Sequence, residues 1–159
     1  MKLLILSDTH GNYSLAIRAI AQQNGHFDRI VHLGDEMEDA CIIEKIIGQP
    51  VDKVPGNCDF AAKTPRELCK TLAHKKIFLT HGDKYNVKAG LAQLHKKALA
   101  ERAQIVLYGH SHVAAIETID DVLFINPGCL HKSCTNPTYA ILSIISGEIS
   151  AEIISVNCE

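Results

Sequence analysis

Five short apolar runs, each followed by a small polar cluster, recur through the first two thirds of the chain. Runs that are apolar at nearly every position are typical of strands buried on both faces of a sheet. They occupy residues 2–6, 29–33, 51–54, 76–80 and 105–108. Strands buried on both faces need a covering layer on each side, so the chain is predicted to form a layered α/β structure.

Three segments between these runs carry apolar side chains at helical spacing. They are residues 14–23, 36–47 and 86–102. In the last of them Val87, Leu91 and Leu94 recur at the spacing of one helix face. Strands that alternate with helices indicate right-handed β-α-β units and a mostly parallel sheet.

The C-terminal third has a different pattern, because its strand-like segments follow one another without a helix between them. These segments are residues 122–126, 139–145 and 148–156. Ser146 and Gly147 form a two-residue connection between the last two, which predicts an antiparallel hairpin. We therefore expect parallel units first, an antiparallel finish, and two sheets packed face to face with helices outside.

The chain has 159 residues, of which 47% are hydrophobic and 21% charged, as is usual for a globular protein with a core. This length predicts one domain over residues 1–159. The formal net charge of -2 and the scarcity of aromatic residues argue against strong nucleic-acid binding. No apolar run approaches the roughly 20 residues of a membrane span, so we expect no membrane partner.

Six cysteines are spread along the chain without a Cys-x-x-Cys pair: Cys41, Cys58, Cys69, Cys129, Cys134 and Cys158. A domain of this size does not need disulfides for its stability. The apolar run after Met1 is too short for a secretory signal. We therefore expect a reduced, cytoplasmic protein in which Cys41, Cys69 and Cys158 are small core or surface residues.

The polar clusters after the five apolar runs hold the candidate functional residues. The carboxyl ends of neighbouring parallel strands lie side by side and form the ligand crevice of an open α/β sheet. Five loops are therefore expected to bring carboxylate, amide and imidazole side chains to one edge of the protein. These side chains are Asp8, His10, Asp35, Asn57, His81, His110 and His112.

This set of donors suits divalent transition metals such as Mn, Fe, Zn, Co or Ni, because Mg and Ca prefer ligands that are all oxygen. The candidates are too many for one tetrahedral ion, but they fit two ions that share a bridging carboxylate. Two divalent ions with Asp8 and Asp35 leave a charge of about +2, and a bridging hydroxide leaves about +1. A site of that charge is matched to an anionic phosphate ester, which the hydroxide would attack.

The order of these motifs resembles that of the calcineurin-like metallophosphoesterases, over nearly the whole chain. The matching segments are Asp8-Thr9-His10, Gly34-Asp35, Gly56-Asn57-Cys58-Asp59, the lone His81, Gly109-His110-Ser111-His112 and Asn126-Pro127-Gly128. The compact length is similar to that of the small YfcE-like phosphodiesterases.

The resemblance implies a four-layer αββα sandwich of two mixed sheets with flanking helices and a dimetal centre between the sheets. It assigns the first metal to Asp8, His10, Asp35 and His112, and the second to Asp35, Asn57, His81 and His110, with Asp35 as the bridge. We expect two divalent transition-metal ions, Mn first, with Fe, Ni, Co or Zn as alternatives. The expected reaction is hydrolysis of a small phosphodiester by a metal-bound hydroxide.

One position departs from the family pattern, because Cys58 stands where the family has a histidine that protonates the leaving oxygen. The resemblance gives Asp59 the role of orienting that residue, and the expected catalytic residues are Asp35, Asn57, Cys58 and Asp59. The proton for the leaving oxygen has three candidate sources, which are Cys58, water and another histidine. A thiol is a weak hydrogen-bond donor, so we expect weak protonation of the leaving oxygen.

Other functions of the same fold remain open at this point. They are a phosphomonoesterase and a non-catalytic scaffold similar to the retromer subunit related to this family. Scaffolds of that kind tend to lose metal-ligand histidines, whereas His10, His81, His110 and His112 are all present. Apolar helix surface is compatible with a homodimer. Among the remaining histidines, His32 is predicted to be a packed core residue, and His131 with Lys132 is a weaker candidate for flanking the site.

Overall fold

A computed structural model describes residues 1–157 and contains two five-stranded sheets. In chain order the elements are β1 (Lys2–Leu6), α1 (Tyr13–Gln22), β2 (Arg29–His32), α2 (Met37–Ile47), β3 (Val51–Lys53), β4 (Glu67–Leu72), β5 (Lys75–Thr80), α3 (Ala92–Glu101), β6 (Ile105–Leu107), β7 (Ala115–Ile119), β8 (Val122–Asn126), β9 (Thr138–Ile145) and β10 (Glu148–Ser155). The first sheet has the order β10-β9-β1-β2-β3, and the second has the order β4-β5-β6-β8-β7.

The strands that deliver the candidate site are parallel within each sheet. In the first sheet β1 pairs in parallel with β2, and β2 with β3. In the second sheet β5 pairs in parallel with β6, and β6 with β8. The expected β9–β10 hairpin is present, and β9 also pairs antiparallel with β1. Both sheets are therefore mixed, as predicted.

Alternating side chains of the central strands bury two different layers. Leu3 and Ile5 of β1 lie in the apolar layer between the sheets, against residues such as Leu107. Leu4 and Leu6 of the same strand pack on the opposite face, under α1 and α2. Each fully buried side chain of this size contributes roughly 1.5–3 kcal/mol relative to its exposed state. This double burial explains why the strand sequence is apolar at every position.

Helix α3 covers the outer face of the second sheet. Its Leu94 and Ala98 pack on Phe78 of β5 and Phe124 of β8. The layers therefore follow the order helix, sheet, sheet, helix, and the prediction of a four-layer αββα sandwich is confirmed. Among the described residues no helix is both long enough and apolar enough to cross a membrane.

The two edge strands β4 and β7 were not predicted from the sequence. Both are half exposed along their length, because one face of each lies toward solvent, and their polar residues hide the strand pattern. The expected antiparallel finish was also wrong for β8, which is parallel to β6 and antiparallel to β7. The chain passes from β6 to the outer strand β7, turns at Asp120 and Asp121, both with positive φ, and returns between them.

The third helix begins later than predicted. A helix over residues 86–102 was expected, but α3 starts at Ala92 and a short 3-10 turn occupies Asp83–Tyr85. Asn86 has a φ of 50° and Gly90 a φ of 138°, and neither value is compatible with a continuing right-handed helix. Val87, in the segment between the 3-10 turn and α3, is nevertheless buried in the same apolar cluster as Leu94 of α3. The apolar spacing that suggested a longer helix therefore reflects the packing of this non-helical segment.

The structure corrects the expectation of a fully reduced chain, because Cys129 and Cys134 form a disulfide with a Cα–Cα distance of 6.5 Å. The Cys134 main-chain N–H donates to the His131 carbonyl oxygen at 3.0 Å, and this turn brings the two cysteines together. Cys41 is half-buried and Cys69 is exposed, as expected for residues without a site role. Cys158 lies outside the described residues.

Gly34 is expected to tolerate no side chain, because its φ is +100° and a Cβ there would lie 2.4 Å from the Gly56 nitrogen. Gly25 has a φ of +75° with open space around it, so Gly25→Ala measures only the backbone strain, about 1 kcal/mol. Gly34→Ala should cost roughly 1–3 kcal/mol more, as overpacking does. Urea denaturation of both variants gives the two values, and equal losses would contradict a close approach of the two loops.

Candidate metal centre

The predicted site residues meet where the carboxyl edges of the two sheets come together. The loops after β1, β2 and β3 bring Asp8, His10, Asp35 and Asn57 from the first sheet, and those after β5 and β6 bring His81, His110 and His112 from the second. Cross-sheet contacts hold these loops, as in the His110 main-chain N–H donating to Asp8 Oδ2 at 3.1 Å. All of the predicted metal-ligand side chains therefore lie in one cluster.

His81 occupies the centre of one half of this cluster and is almost fully buried. Its Nδ1 lies 2.8 Å from the Leu33 carbonyl oxygen, which only accepts, so Nδ1 carries the proton. Its Nε2 then faces Asn57 Oδ1 at 3.1 Å and Asp35 Oδ2 at 3.3 Å. Nδ1 of His110 lies 3.2 Å from His81 Nε2.

These electron-rich atoms repel one another unless a proton or a metal cation lies among them. In the protein without metal, a proton on Nε2 is favoured, since Asp35 and Asp8 raise the pKa of His81 although burial alone would lower it. Asp35, His81 and His110 each place a donor atom within 4.8 Å of the others. The geometry and the donor chemistry of this group therefore fit a divalent transition-metal cation.

The other half of the cluster is built around Asp8, which is completely buried. Its Oδ2 accepts from the Ser7 hydroxyl at 2.5 Å, whereas its Oδ1 has no hydrogen-bond partner. His112 Nε2 lies 3.1 Å from Oδ1. His10 completes a group of three donors within 4.8 Å of one another. A buried carboxylate oxygen without a partner is costly, and a cation held by these three residues would satisfy it.

The carboxylate charge of Asp8 is stabilised by its neighbours even without a metal. Burial would raise the pKa of Asp8, but the His112 and His81 imidazoles together with the Ser7 hydroxyl outweigh it and lower the pKa below its usual value. The carboxylate is therefore ionised at neutral pH, as a metal ligand must be.

Asp35 lies between the two halves. Its Oδ2 is 3.3 Å from His81 Nε2 and 3.8 Å from His10 Nε2, and its Oδ1 accepts from the Cys58 main-chain N–H at 2.9 Å. Burial would raise the pKa of Asp35, but His81 and Cys58 lower it well below its usual range. An ionised carboxylate that reaches both groups has the position that a bridging ligand needs.

Most of the candidate ligands have backbone conformations that L-residues rarely adopt. The φ angles are 55° at Asp8, 43° at His10, 47° at Asp35, 67° at His110 and 60° at His112. Each such residue costs of order 1–3 kcal/mol and persists only where its surroundings hold it. The loops are held by main-chain bonds, with Asp8 N–H donating to the Gly34 carbonyl oxygen and His10 N–H to that of Asp35, both at 3.0 Å.

Cys58 and Asp59 have different surroundings. The Cys58 thiol is exposed and lies within 4.8 Å of donor atoms of His10 and Asp35. Burial and the nearby Asp35, Asp59 and Asp8 carboxylates raise the pKa of Cys58 to about 11, so the thiol is protonated at neutral pH. Asp59 instead accepts from the main-chain N–H groups of Asp35 and Gly56 at 3.0 and 2.7 Å and from that of Met37 at 2.7 Å, which fixes the loops after β2 and β3.

Asn126 is a positioning residue to which the sequence analysis gave no role. It is completely buried, and its amide nitrogen donates to the Gly109 carbonyl oxygen at 3.0 Å and to the Ser111 hydroxyl at 2.9 Å. It thus supports the loop that carries His110 and His112. The sequence feature that could have indicated this role is the Asn at the end of the apolar strand β8. A fully buried amide at such a position must find hydrogen-bond partners.

Two further histidines lie next to the cluster. The prediction that His32 is packed and hydrogen-bonded is confirmed, since it is fully buried and lies 3.2 Å from both the Thr9 hydroxyl and the Gly34 N–H. His131 flanks the site, with its ring centroid 5.7 Å from that of His10 and 5.0 Å from that of His112. Burial, His112 and His10 lower the pKa of His131.

The fold and the donor chemistry of this cluster fit a metal-dependent phosphoester hydrolase. Residues 1–147 match the calcineurin-like phosphoesterase superfamily domain, and the chain belongs to that superfamily.

Several known proteins resemble the chain over most of its length. A probable metallophosphoesterase of Bacillus subtilis is 34% identical over 91% of this chain and 85% of its own. A phosphodiesterase of Methanocaldococcus jannaschii is 30% identical over 89% of this chain and 92% of its own. The crystal structure of a predicted phosphoesterase from Streptococcus pneumoniae has a TM-score of 0.82 at 27% identity, covering 97% of this chain and 88% of its own.

The fold is also shared by Vps29. The zinc complex of Vps29 from Entamoeba histolytica has a TM-score of 0.74 over 99% of this chain and 100% of its own. Its sequence identity is 16%, so the likeness concerns the fold alone.

His32 should make the stability of the metal-free protein depend on pH. Burial lowers the pKa of His32 to about 4, so the unfolded chain takes up the proton first as the pH falls. The free energy of unfolding should therefore have its full value above pH ~6.5. It should fall by roughly 3 kcal/mol in total as the pH is lowered toward ~4. His32→Asn should flatten this dependence in urea denaturation with chelator, whereas His26→Asn, at an exposed position, should leave it intact. Equal slopes for wild type and His32→Asn would contradict the assignment.

Proposed function

We propose that this protein is a two-metal phosphodiesterase that hydrolyses a small phosphodiester. The observation that carries the proposal is the position of Asp35, whose Oδ2 lies within 4 Å of an imidazole nitrogen in each half of the cluster. One ionised carboxylate between two groups of nitrogen and oxygen donors is the arrangement that two adjacent cations require.

The proposed ligands of the first ion are Asp8, His10, Asp35 and His112, and those of the second are Asp35, Asn57, His81 and His110. Imidazole in both sets favours Mn over Mg, with Fe, Ni, Co and Zn as alternatives. When bound, the two ions supply an activated water nucleophile and neutralise charge on the phosphoryl group. His81 is held in one orientation by its bond to Leu33, so its Nε2 needs no reorientation before binding.

Cys58 faces the substrate side of this centre in the proposal, and its protonated thiol is one source of the proton for the leaving oxygen. A thiol with a pKa of about 11 is a weak acid, so esters of acidic alcohols should be the better substrates. Asp59 acts in the proposal by holding the loops after β2 and β3 in position, because both of its carboxylate oxygens accept hydrogen bonds from main-chain N–H groups of these loops.

The charge balance supports a small diester as substrate. The formal net charge of -2 lacks the excess of basic residues with which a protein holds a nucleic-acid polymer. The name of the M. jannaschii relative points to the same reaction. A phosphomonoesterase is the nearest alternative. The scaffold role that the sequence left open is disfavoured because all the candidate imidazole ligands are present and converge.

Removal and return of metal tests the reaction. Chelation should abolish hydrolysis of an aryl phosphodiester, and Mn²⁺ should restore it better than Mg²⁺, because imidazole ligands discriminate against Mg²⁺. Rates are compared on the diester and the monoester of the same phenol. Faster monoester cleavage would favour a phosphomonoesterase, and a lack of metal-dependent hydrolysis of either ester would favour the scaffold.

Asp35→Asn should remove both ions and nearly all turnover, because the neutral amide lacks the negative charge with which the carboxylate would bridge two cations. Metal per chain is measured by elemental analysis of the purified, folded variant. Asp52→Asn is the matched control, since Asp52 is also a buried carboxylate but pairs with Arg29 away from the cluster. Full double occupancy in Asp35→Asn would contradict the bridging role.

A further inference from the structure

The loop after β8 brings His131 to the edge of the candidate metal centre in a fixed position. The Leu130 main-chain N–H donates to the Asp8 carbonyl oxygen at 3.1 Å, and the Leu130 carbonyl oxygen accepts from the Asn12 side chain at 2.9 Å. Leu130 itself is completely buried. The Cys129–Cys134 disulfide closes the loop around His131. The loop is therefore tied directly to the backbone of a candidate ligand.

The hydrogen bonds of the loop also fix the tautomer of His131. Its Nδ1 accepts a hydrogen bond from the Ser133 main-chain N–H at 3.1 Å. A nitrogen that accepts carries no proton, so the imidazole is neutral and its proton is on Nε2. His131 therefore offers one hydrogen-bond donor beside His10 and His112.

His131 also shares a small cavity of about 270 Å³ with two of the proposed ligands of the first ion, His10 and His112. The cavity is lined by His10, His112, His131, Lys132 and Ser133. None of these lining residues is acidic, and the Lys132 side chain adds a positive charge at the exposed end. A concave surface with a fixed donor and a cation next to a metal site is suited to an anionic oxygen.

We propose that His131 is a substrate-binding residue whose Nε2–H donates to a non-bridging oxygen of the phosphoryl group, with the positively charged Lys132 as a second contact. This inference rests on the proposed function, because it places the phosphoryl group at the first ion. A role of His131 as an additional metal ligand is the competing explanation, since its donor atom lies within 4.8 Å of those of His112 and Cys129. The disulfide occupies the Cys129 sulfur, which argues against a metal at that position.

The test measures binding of inorganic phosphate to the metal-loaded protein by calorimetry, alongside metal per chain. His131→Phe keeps a ring without the donor and should weaken phosphate binding roughly 10- to 100-fold, as expected for a hydrogen bond to a charged group. His131→Gln places an amide N–H near Nε2 and should recover most of the affinity. His26→Phe, at an exposed position elsewhere, should leave binding unchanged.

The outcomes separate this inference from the proposed function. Normal metal content with weakened phosphate binding in His131→Phe and recovery in His131→Gln supports the contact, even if the protein hydrolyses no ester. In an active enzyme, the same variant should raise KM for the aryl diester more than it lowers kcat. Unchanged phosphate affinity in His131→Phe, equal losses in both variants, or loss of metal would each overturn the inference.

Discussion

The hydrogen bond from His81 Nδ1 to the Leu33 carbonyl oxygen joins the two sheets at the candidate metal centre. Leu33 follows β2 in the first sheet, and His81 follows β5 in the second. The bond links the two carboxyl edges and turns Nε2 of His81 toward the cluster, where a cation would replace the proton that Nε2 carries in the metal-free protein. One interaction thus sets both the sheet packing at the site and the availability of a donor atom to a cation.

The site depends on backbone conformations that the loops would not adopt alone. Asp8, His10 and Asp35 all have positive φ angles, and the main-chain bonds between the loops after β1 and β2 hold them there. Gly34 and Gly56 allow the loops after β2 and β3 to approach this closely, because a Cβ on Gly34 would clash with the Gly56 backbone and a Cβ on Gly56 would clash with Asp35. The stability of the sheets thus compensates for local strain at the candidate ligands, a balance common at functional sites.

The sequence was sufficient to predict the sandwich and the composition of the cluster, since each candidate ligand follows an apolar run. Strand ends are readable locally, and parallel pairing then brings the ends together. Strands β4 and β7 were missed because their outer faces are solvated and their sequences lack a sustained apolar pattern. The sequence offered His131 only as a weaker candidate for flanking the site, because its position depends on the long-range bond from Leu130 to Asp8 and on a cysteine pair that has no strong local signature.

The strand order of the first sheet has a consequence for synthesis of the chain on the ribosome. Strand β1 emerges first, yet it lies in the middle of the sheet, where its second neighbour is β9. Until residues 138–145 have emerged, β1 presents an unpaired edge with apolar side chains on both faces. Open edges of this kind promote intermolecular pairing, so a chain that stops short of β9 should aggregate. The nascent protein therefore depends on prompt completion of its C-terminal hairpin.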